Sequence, residues 1–306
     1  MIYPLCGNKK NFKYIESVFS NEMNIKYEIF KCKNCEIEFS NPMKSALPSH
    51  YQKVEYYSYR WEFIEFLKFF KIFKNKKLKI LDIGCGEGHF LYLLQKNGFE
   101  VVGIDFNEKA IKVAKEKFGI KRVYPFDLSE FIKNFPEEKF DIISAFHIIE
   151  HLEDPLGFVL KLRKILKENG FFVFSLPNHR RLNVKIRERE NWDYPPHHLT
   201  RWNDNSIQFL IKKTKFKIIK VKDEGPFDLI LDKLMQKIHF NLSKKFSKKE
   251  KDFRKNSEVF NHSIDELKKI KKFLFLPIAF ILYFPLKFLK IKGISKFLIV
   301  KKFNGD

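Results

Sequence analysis

From residue 78 onward, short apolar runs alternate with helical segments, and this alternation constrains the chain more than any other feature of its sequence. The runs are LKILDI (78–83), EVVGID (100–105), KRVYPF (121–126), FDIISAF (140–146) and FFVFSL (171–176). Between them lie HFLYLLQKN (89–97), NEKAIKVAKEKF (107–118), SEFIKNF (129–135) and PLGFVLKLRKILKE (155–168). Parallel strands need a long crossover, usually a helix, so this order predicts a parallel sheet covered on both faces. A polar and aromatic loop follows at 179–202, then a helix over 203–214 and a strand over 216–224. Upstream, residues 51–76 read as an aromatic-rich helix and residues 1–50 as a short polar segment. With 44% hydrophobic residues the chain can build a sizeable core, which excludes wholesale disorder and fibrous repeats.

The sharpest local signal is Leu81-Asp82-Ile83-Gly84-Cys85-Gly86-Glu87-Gly88, closing the first run and opening a helix. Glycines there let a ligand approach the backbone at the carboxyl edge of the sheet. A dinucleotide loop would place its third glycine at position 89, where His89 stands, and no GK[ST] follows for a nucleoside triphosphate. Acids at Asp82 and Glu87 suit a neutral or cationic ligand better than a pyrophosphate. Asp105 ends the second run, where a carboxylate can accept both hydroxyls of a ribose, and Asp127 ends the third, where it could accept an adenine amino group. Together they describe a nucleoside pocket. The plain structural alternative is that these acids cap the helices that follow.

LDIGCGEGHFL (81–91), VVGID (101–105) and FDIISAFHIIEHLEDP (140–155) followed by LPN (176–178) resemble the successive motifs of class I S-adenosylmethionine-dependent methyltransferases. The resemblance covers residues 78–224, about half the chain. It implies an α/β fold: a Rossmann-like, seven-stranded, doubly wound sheet with an antiparallel last strand, which KGISKFLIVKKF (292–303) resembles. It also implies S-adenosylmethionine as cofactor, its methionine part facing Asp82, Gly84, Cys85, Gly86 and Gly88. By the same resemblance Asp105 would bind the ribose, Phe106 would lie by the adenine, Asp127 would hold its amino group, and Phe146 joins the cofactor-binding set. The expected organisation is an N-terminal ribbon-like segment (1–50), a methyltransferase core (51–225), an insertion (226–291) and the final strand (292–306).

Methyl transfer from a sulfonium needs mainly alignment, and a base only where the acceptor is a hydroxyl or a carbon acid. Histidine serves that purpose near neutral pH. His147 and His151 follow the fourth run, and His197 and His198 sit in PPHHLTRW (195–202), which resembles a loop that lies over the acceptor in one broad methyltransferase subgroup. His198 is the first candidate for a base or acceptor ligand, His151 the second, and His147 completes the set. His151 and Glu150 could instead merely buttress the sheet edge. Trp192, Tyr194 and Trp202, beside Arg180, Arg181, Arg187, Arg189 and Arg201, suit stacking on a sugar and binding of an anionic group, or a lid that keeps water out. Tyr56, Tyr57, Tyr59 and Arg60 could cover the cofactor. The favoured acceptor is a hydroxyl on a sugar or lipid-linked surface-glycan precursor. The alternatives are a quinone or lipid headgroup, an RNA, or no acceptor at all in a non-catalytic cofactor-binding module.

Four cysteines are too few for a secreted disulfide scaffold, and MIYPLCGNKKNFKY lacks the apolar stretch of a signal peptide, so a cytoplasmic protein is expected. Cys32-x2-Cys35 has metal-knuckle spacing, and Cys6-Gly7 resembles half of another. Related methyltransferases often start with a zinc ribbon of this kind, and Tyr3 stands where it would want a cysteine. Zinc held by three thiolates and an outside ligand such as His50 remains one reading; a residual ribbon held by packing is the other. No residue is assigned as a metal ligand.

The formal net charge is +22, from 59 Lys+Arg against 37 Asp+Glu, but only nine of the basic residues are Arg, whereas nucleic-acid surfaces favour Arg. Half the charge lies in 226–306, where 19 Lys+Arg meet 8 Asp+Glu. Within it, FLFLPIAFILYFPL (273–286) is uncharged and flanked by lysines over 268–292. As a helix it would be about 21 Å long against roughly 30 Å of hydrocarbon, too short to span but suited to lie on an anionic membrane surface. Packing into the core or against a second copy is the other reading. The expected location is therefore cytoplasmic, with peripheral attachment to the inner membrane face if the first reading holds.

Overall fold

A computed structural model describes residues 5–7, 10–46, 60–71, 77–181, 184, 191–225, 290 and 292–303. The chain divides into two compact units, one of residues 1–179, 188–222 and 296–306, the other of 180–187 and 223–295.

The first unit carries the sheet that the alternation predicted. Its strands are β4 (Lys79–Ile83), β5 (Glu100–Ile104), β6 (Val123–Tyr124), β7 (Phe140–Phe146), β8 (Leu166–Pro177), β10 (Phe216–Asp223) and β11 (Ser295–Lys302). They lie in the order β10-β11-β8-β7-β4-β5-β6. β4 pairs in parallel with β5 and β7, β5 with β6, and β7 with β8. The end of β11 meets the start of β10, with the Phe303 N–H donating to the Lys215 carbonyl (3.2 Å), and the Lys302 ammonium reaches the Leu166 carbonyl at the start of β8. β11 therefore runs antiparallel to both neighbours, as the family resemblance implied.

Helices connect the parallel strands: α2 (His89–Lys96), α3 (Glu108–Phe118), α4 (Leu128–Asn134) and α5 (Pro155–Ile165), with α6 (Asp204–Lys213) before β10. Three of these starts have a readable cause. Asn107 accepts from the Lys109 and Ala110 amides, Asp154 accepts from Gly157 ahead of Pro155, and Asn203 with Ser206 closes a capping box. Both faces of the central strands are buried, so their side chains feed two cores. Leu81, Ile83, Ile143, Ala145, Phe172 and Phe174 join one, with α5 and α6; Ile80, Ile142, Phe146 and Val173 join the other. The second is sealed by α1 (Trp61–Phe70), whose Phe63, Phe66 and Phe70 pack with Phe90 and Leu94 of α2.

Two differences from the sequence reading have physical reasons. α5 stops at Ile165, three residues short of the expected end, because Leu166 is already extended, buried and in register with Phe140. Of the aromatic helix expected over 51–76, only α1 falls among the described residues. Residues 12–41 are β structure: β1 (Phe12–Ser20), β2 (Ile25–Cys32) and β3 (Glu38–Asn41) form an antiparallel meander, completed by β9 (Thr200–Arg201). Tyr27, Ile29 and Phe39 are fully buried, so this segment has its own apolar face rather than the polar character expected of 1–50. β3 pairs with β9 through Glu38–Arg201 and Phe39–Thr200, which ties the N-terminal sheet to the histidine loop.

In the second unit, the Glu224 N–H donates to the Ser295 carbonyl and the Lys292 N–H to the Arg180 carbonyl. The apolar stretch 273–286 and most of its flanking lysines lie outside the described residues. Among the described residues no helix is long and apolar enough to cross a membrane.

Candidate active site

The glycine loop turns back on the end of β5. Gly84 and Cys85 both donate to the Ile104 carbonyl (2.8 and 3.1 Å), and Gly88, at the start of α2, donates to the Cys85 carbonyl (3.0 Å). Gly84, Gly86 and Gly88 have φ of +76°, +51° and +84°, backbone that L side chains rarely adopt. A Cβ at Gly84 would come within 2.3 Å of Ile148 Cδ1, and one at Gly88 within 2.8 Å of the Ala114 Cβ. The loop is thus bare by necessity, and its first glycine is packed against the segment that follows β7.

Two acids are buried beneath it. Asp105 accepts from the Gly86 amide through one oxygen and from the Asn107 amide through the other, both at 2.9 Å. Asp82 accepts from the Ser144 hydroxyl (2.7 Å) across the β4–β7 register. Burial pushes the Asp105 carboxyl up against the pull of its two amides. Burial raises Asp82 to about 7, with the Asp105 charge adding to the rise and the Ser144 bond opposing it. The Cys85 thiol is likewise pushed up by burial. Phe106, beside Asp105, is 48% exposed, as suits a flat ligand surface.

The other expected cofactor residues have structural employment. Asp127 lies three residues beyond the two-residue β6 and forms a capping box on α4, accepting from Ser129 and Glu130. This is the helix-capping alternative, realised at one of the three acids. Phe146 lies in the aromatic core, 5.3 Å from Phe90 and 5.8 Å from Phe63 between ring centroids.

After β7 the chain makes a tight polar turn. His147 has φ +54°; its Nδ1 is 3.2 Å from Glu150 Oε1 and its Nε2 3.1 Å from Glu62 Oε1 on α1. Burial would lower its pKa, but the two carboxylates lift it to about 8. Glu150 is fully buried, a cost to its charge that the His147 bond overrides, holding it at about 2. His151 donates from Nδ1 to the His197 carbonyl (2.8 Å), and burial, then the neighbouring His198, hold its pKa at about 4. The His151 and His198 rings meet edge to face at 4.8 Å, and Trp192 meets His198 at 5.0 Å. His198 Nδ1 lies 3.4 Å from Asp193 Oδ1. The Leu199 N–H donates to the Glu150 carbonyl (2.9 Å), stitching the two histidine segments together.

The histidines proposed from separate motifs are therefore neighbours. Glu62, Ser144 and Asp193, which hold them or the acids, were not anticipated: Glu62 and Ser144 meet partners 85 and 62 positions away, and Asp193 meets His198 only through the folded loop. Trp202 is buried and donates to the Thr200 hydroxyl (2.9 Å), and Arg201 lies over the Tyr194 ring. Arg180 and Arg181 belong to the second unit. Tyr56, Tyr57, Tyr59, Arg187 and Arg189 lie outside the described residues.

In the N-terminal sheet the thiols of Cys6, Cys32 and Cys35 lie within 4.8 Å of one another, with Cys6 and Cys32 at 3.5 Å. Burial acts to raise Cys32, but amides of Cys35 and Asn34 bring it below its ordinary value; burial dominates at Cys35 and raises it. His50, the outside ligand considered above, lies outside the described residues.

A bare glycine loop over two buried acids, at the carboxyl edge of a doubly wound sheet, is an arrangement that can hold a nucleoside cofactor, and its two carboxylates disfavour a phosphate there. A family model for a methyltransferase domain matches residues 54–221, and the chain belongs to that family, that of the class I S-adenosylmethionine-dependent methyltransferases. Similar curated proteins include the ubiquinone biosynthesis O-methyltransferases of Pelagibacter ubique, 38% identical over 106 residues (34% of this chain, 43% of that one), and of Histophilus somni, 35% identical over 107 residues (33% and 45%). The chain thus spans less than half the length of these curated relatives. Among solved structures, phosphoethanolamine N-methyltransferase 2 of Haemonchus contortus, in complex with S-adenosyl-L-methionine, matches with a TM-score of 0.50 at 19% identity, over 87% of this chain and 62% of that one. That likeness speaks for the fold.

Proposed function

We propose that this chain transfers the methyl group of S-adenosylmethionine to a hydroxyl oxygen of a quinone-type aromatic acceptor. The observation that carries the reading is the contact of Gly84 with Ile148, which sets the diacid glycine loop directly beside the His147–His151 turn. Cofactor and acceptor residues thereby share one sheet edge, as an aligned transfer requires. When bound, the cofactor supplies an electrophilic methyl on a sulfonium. Asp105 would accept from the ribose hydroxyls, Asp82 and the loop of Gly84, Cys85, Gly86 and Gly88 would face its methionine part, and Phe106 would cover the adenine. Asp127 would reach the adenine amino group only with an oxygen not committed to its helix cap.

On the acceptor side, His198, backed by Asp193 and in ring contact with His151, is the residue proposed to meet the acceptor hydroxyl. His147 and Glu62 would hold that turn in place rather than touch the acceptor. The relatives named above support the quinone acceptor over the sugar or glycan hydroxyl that the aromatic loop first suggested; Trp192 against His198 is what still favours a sugar. The lysine-flanked stretch at 268–292 would bring the chain to an anionic membrane surface, where a lipid quinone precursor resides.

The test is transfer of a labelled methyl group into a prenylated catechol and, in parallel, into a nucleotide sugar. Label in the catechol, abolished in His198→Ala with cofactor affinity kept, supports the reading. Label in the sugar alone replaces the acceptor class. Cofactor binding without transfer to any fraction of a cell extract would leave a binding module.

A further inference from the structure

Glu150, His151 and His198 bring one carboxylate oxygen and two imidazole nitrogens within 4.8 Å of one another. We propose that these three residues bind a divalent transition-metal ion of the zinc or cobalt type.

Three features besides proximity point to a cation. The first is ring orientation. His151 spends its Nδ1 proton on the His197 carbonyl, which puts the electron pair of the neutral ring on Nε2. His198 turns its Nδ1 toward the Asp193 carboxylate, which likewise directs Nε2 away from that partner. An imidazole whose far nitrogen is held by a carbonyl or a carboxylate is the arrangement that metal-binding histidines adopt. The second is the carboxylate. Glu150 Oε1 faces His147, itself backed by Glu62, whereas Oε2 is buried and has no hydrogen-bond partner among the described residues. A buried anionic oxygen left unpaired is costly, and a bound cation removes that cost. The third is rigidity. The Leu199 N–H and the Thr200 hydroxyl both donate to the Glu150 carbonyl, so the turn at 150 and the loop at 198 are fixed to each other before any ion arrives.

Two imidazoles and one carboxylate suit zinc, cobalt or iron, and not the all-oxygen surroundings that calcium and magnesium favour. Three protein ligands leave a coordination position open. On the reading given above, and only on it, that position is where the acceptor oxygen would sit, so that His198 would meet the acceptor through the ion and not directly.

The test titrates Co2+ into the full chain freed of metal with chelator, without cofactor or acceptor, and follows absorption and stoichiometry. The expected result is uptake at this site with visible d–d bands, weakened at least tenfold in both His198→Ala and Glu150→Gln. The cysteine cluster supplies the internal control, because an ion held there would add a near-ultraviolet thiolate charge-transfer band. The proposal is overturned by an absence of Co2+ uptake, or by uptake that both substitutions leave unchanged. Glu150→Gln keeps the shape of the side chain, so it decides the matter should His198→Ala disturb the fold. Methyl transfer enters none of these readouts, so metal binding and the acceptor assignment fail or stand separately.

Discussion

The two sides of the candidate site are built by different rules. On the cofactor side the hydrogen bonds of the two acids are local or between adjoining strands: Gly86 with Asp105, Asp105 with Asn107, Asp82 with Ser144 in the next strand. On the acceptor side the working contacts join α1, the turn after β7 and the loop before β9, from Glu62 to His198. The first can be assembled by one motif and a sheet register; the second exists only once the whole domain has closed. Substitutions should therefore separate the two sides, each damaging its own function and sparing the other's.

The largest effect is expected at His198. Replacing it with Ala should lower the transfer rate by about 100-fold or more, the scale of losing a group that positions the acceptor oxygen. Cofactor affinity should stay within about twofold, because no contact of the glycine loop involves the residue. Equal losses in both would mean that the two sides are one cooperative unit.

Asp105→Ala should show the converse. Hydrogen bonds to a charged acceptor contribute about 1.5–3 kcal/mol each, so losing the carboxylate proposed to bind the ribose should weaken cofactor binding by roughly 100-fold in calorimetry. The substitution also removes the acceptor for the Gly86 and Asn107 amides, which adds a loosening of the loop. An unchanged affinity would remove Asp105 from the pocket. A smaller, purely structural effect is expected at Gly88. An Ala there must hold φ near +84° with its Cβ 2.8 Å from that of Ala114, so α2 and α3 must separate. Overpacking of this kind costs about 1–3 kcal/mol, visible as a lower urea midpoint with little change in slope.

The same division explains what could be read from the sequence. β7 was legible to the residue, and Asp82 and Asp105 were legible as acids gathered at one sheet edge beside the glycine loop, because short-range pattern and strand ends decide both. The capping box at Asp127 is legible too, as Asp-x-x-Glu before an apolar pair, and it realises the helix-capping alternative at that acid. The N-terminal segment was legible as ribbon-like from its cysteine spacing, whereas the bounds of its strands over 12–41 were not assigned although FKYIESVFS alternates. Glu62 and Asp193 could not be read at all. A carboxylate gains its role there from a histidine 85 positions away in one case and from a folded loop in the other, and no local pattern encodes either partnership.

The finest distinction between the sides concerns pH. Asp82 is raised to about 7 from an ordinary value near 4, mainly by burial. Between about pH 4 and 7 the folded chain holds this proton while the unfolded chain has lost it, so this group's contribution to stability falls as pH rises through that window and levels off above 7. Cofactor binding should run the other way. A ligand bearing a positive sulfonium prefers the ionised carboxylate, so affinity should rise by up to about tenfold per unit below pH 7 and flatten above it. The demethylated product, with a neutral sulfur, should show a shallower profile. Asp82→Asn removes both trends: its stability should exceed that of the parent at pH 8, where the parent carries a buried charge, and its cofactor profile should be flat. Glu65 titrates in a separate window. Burial acts to raise it, but Lys222, Lys220 and Lys68 hold it at about 2, so its contribution is lost only as pH falls from about 4.5 toward 2. A pH-dependent cofactor affinity that survives Asp82→Asn would transfer the titration to another group and leave Asp82 as a structural partner of Ser144 alone.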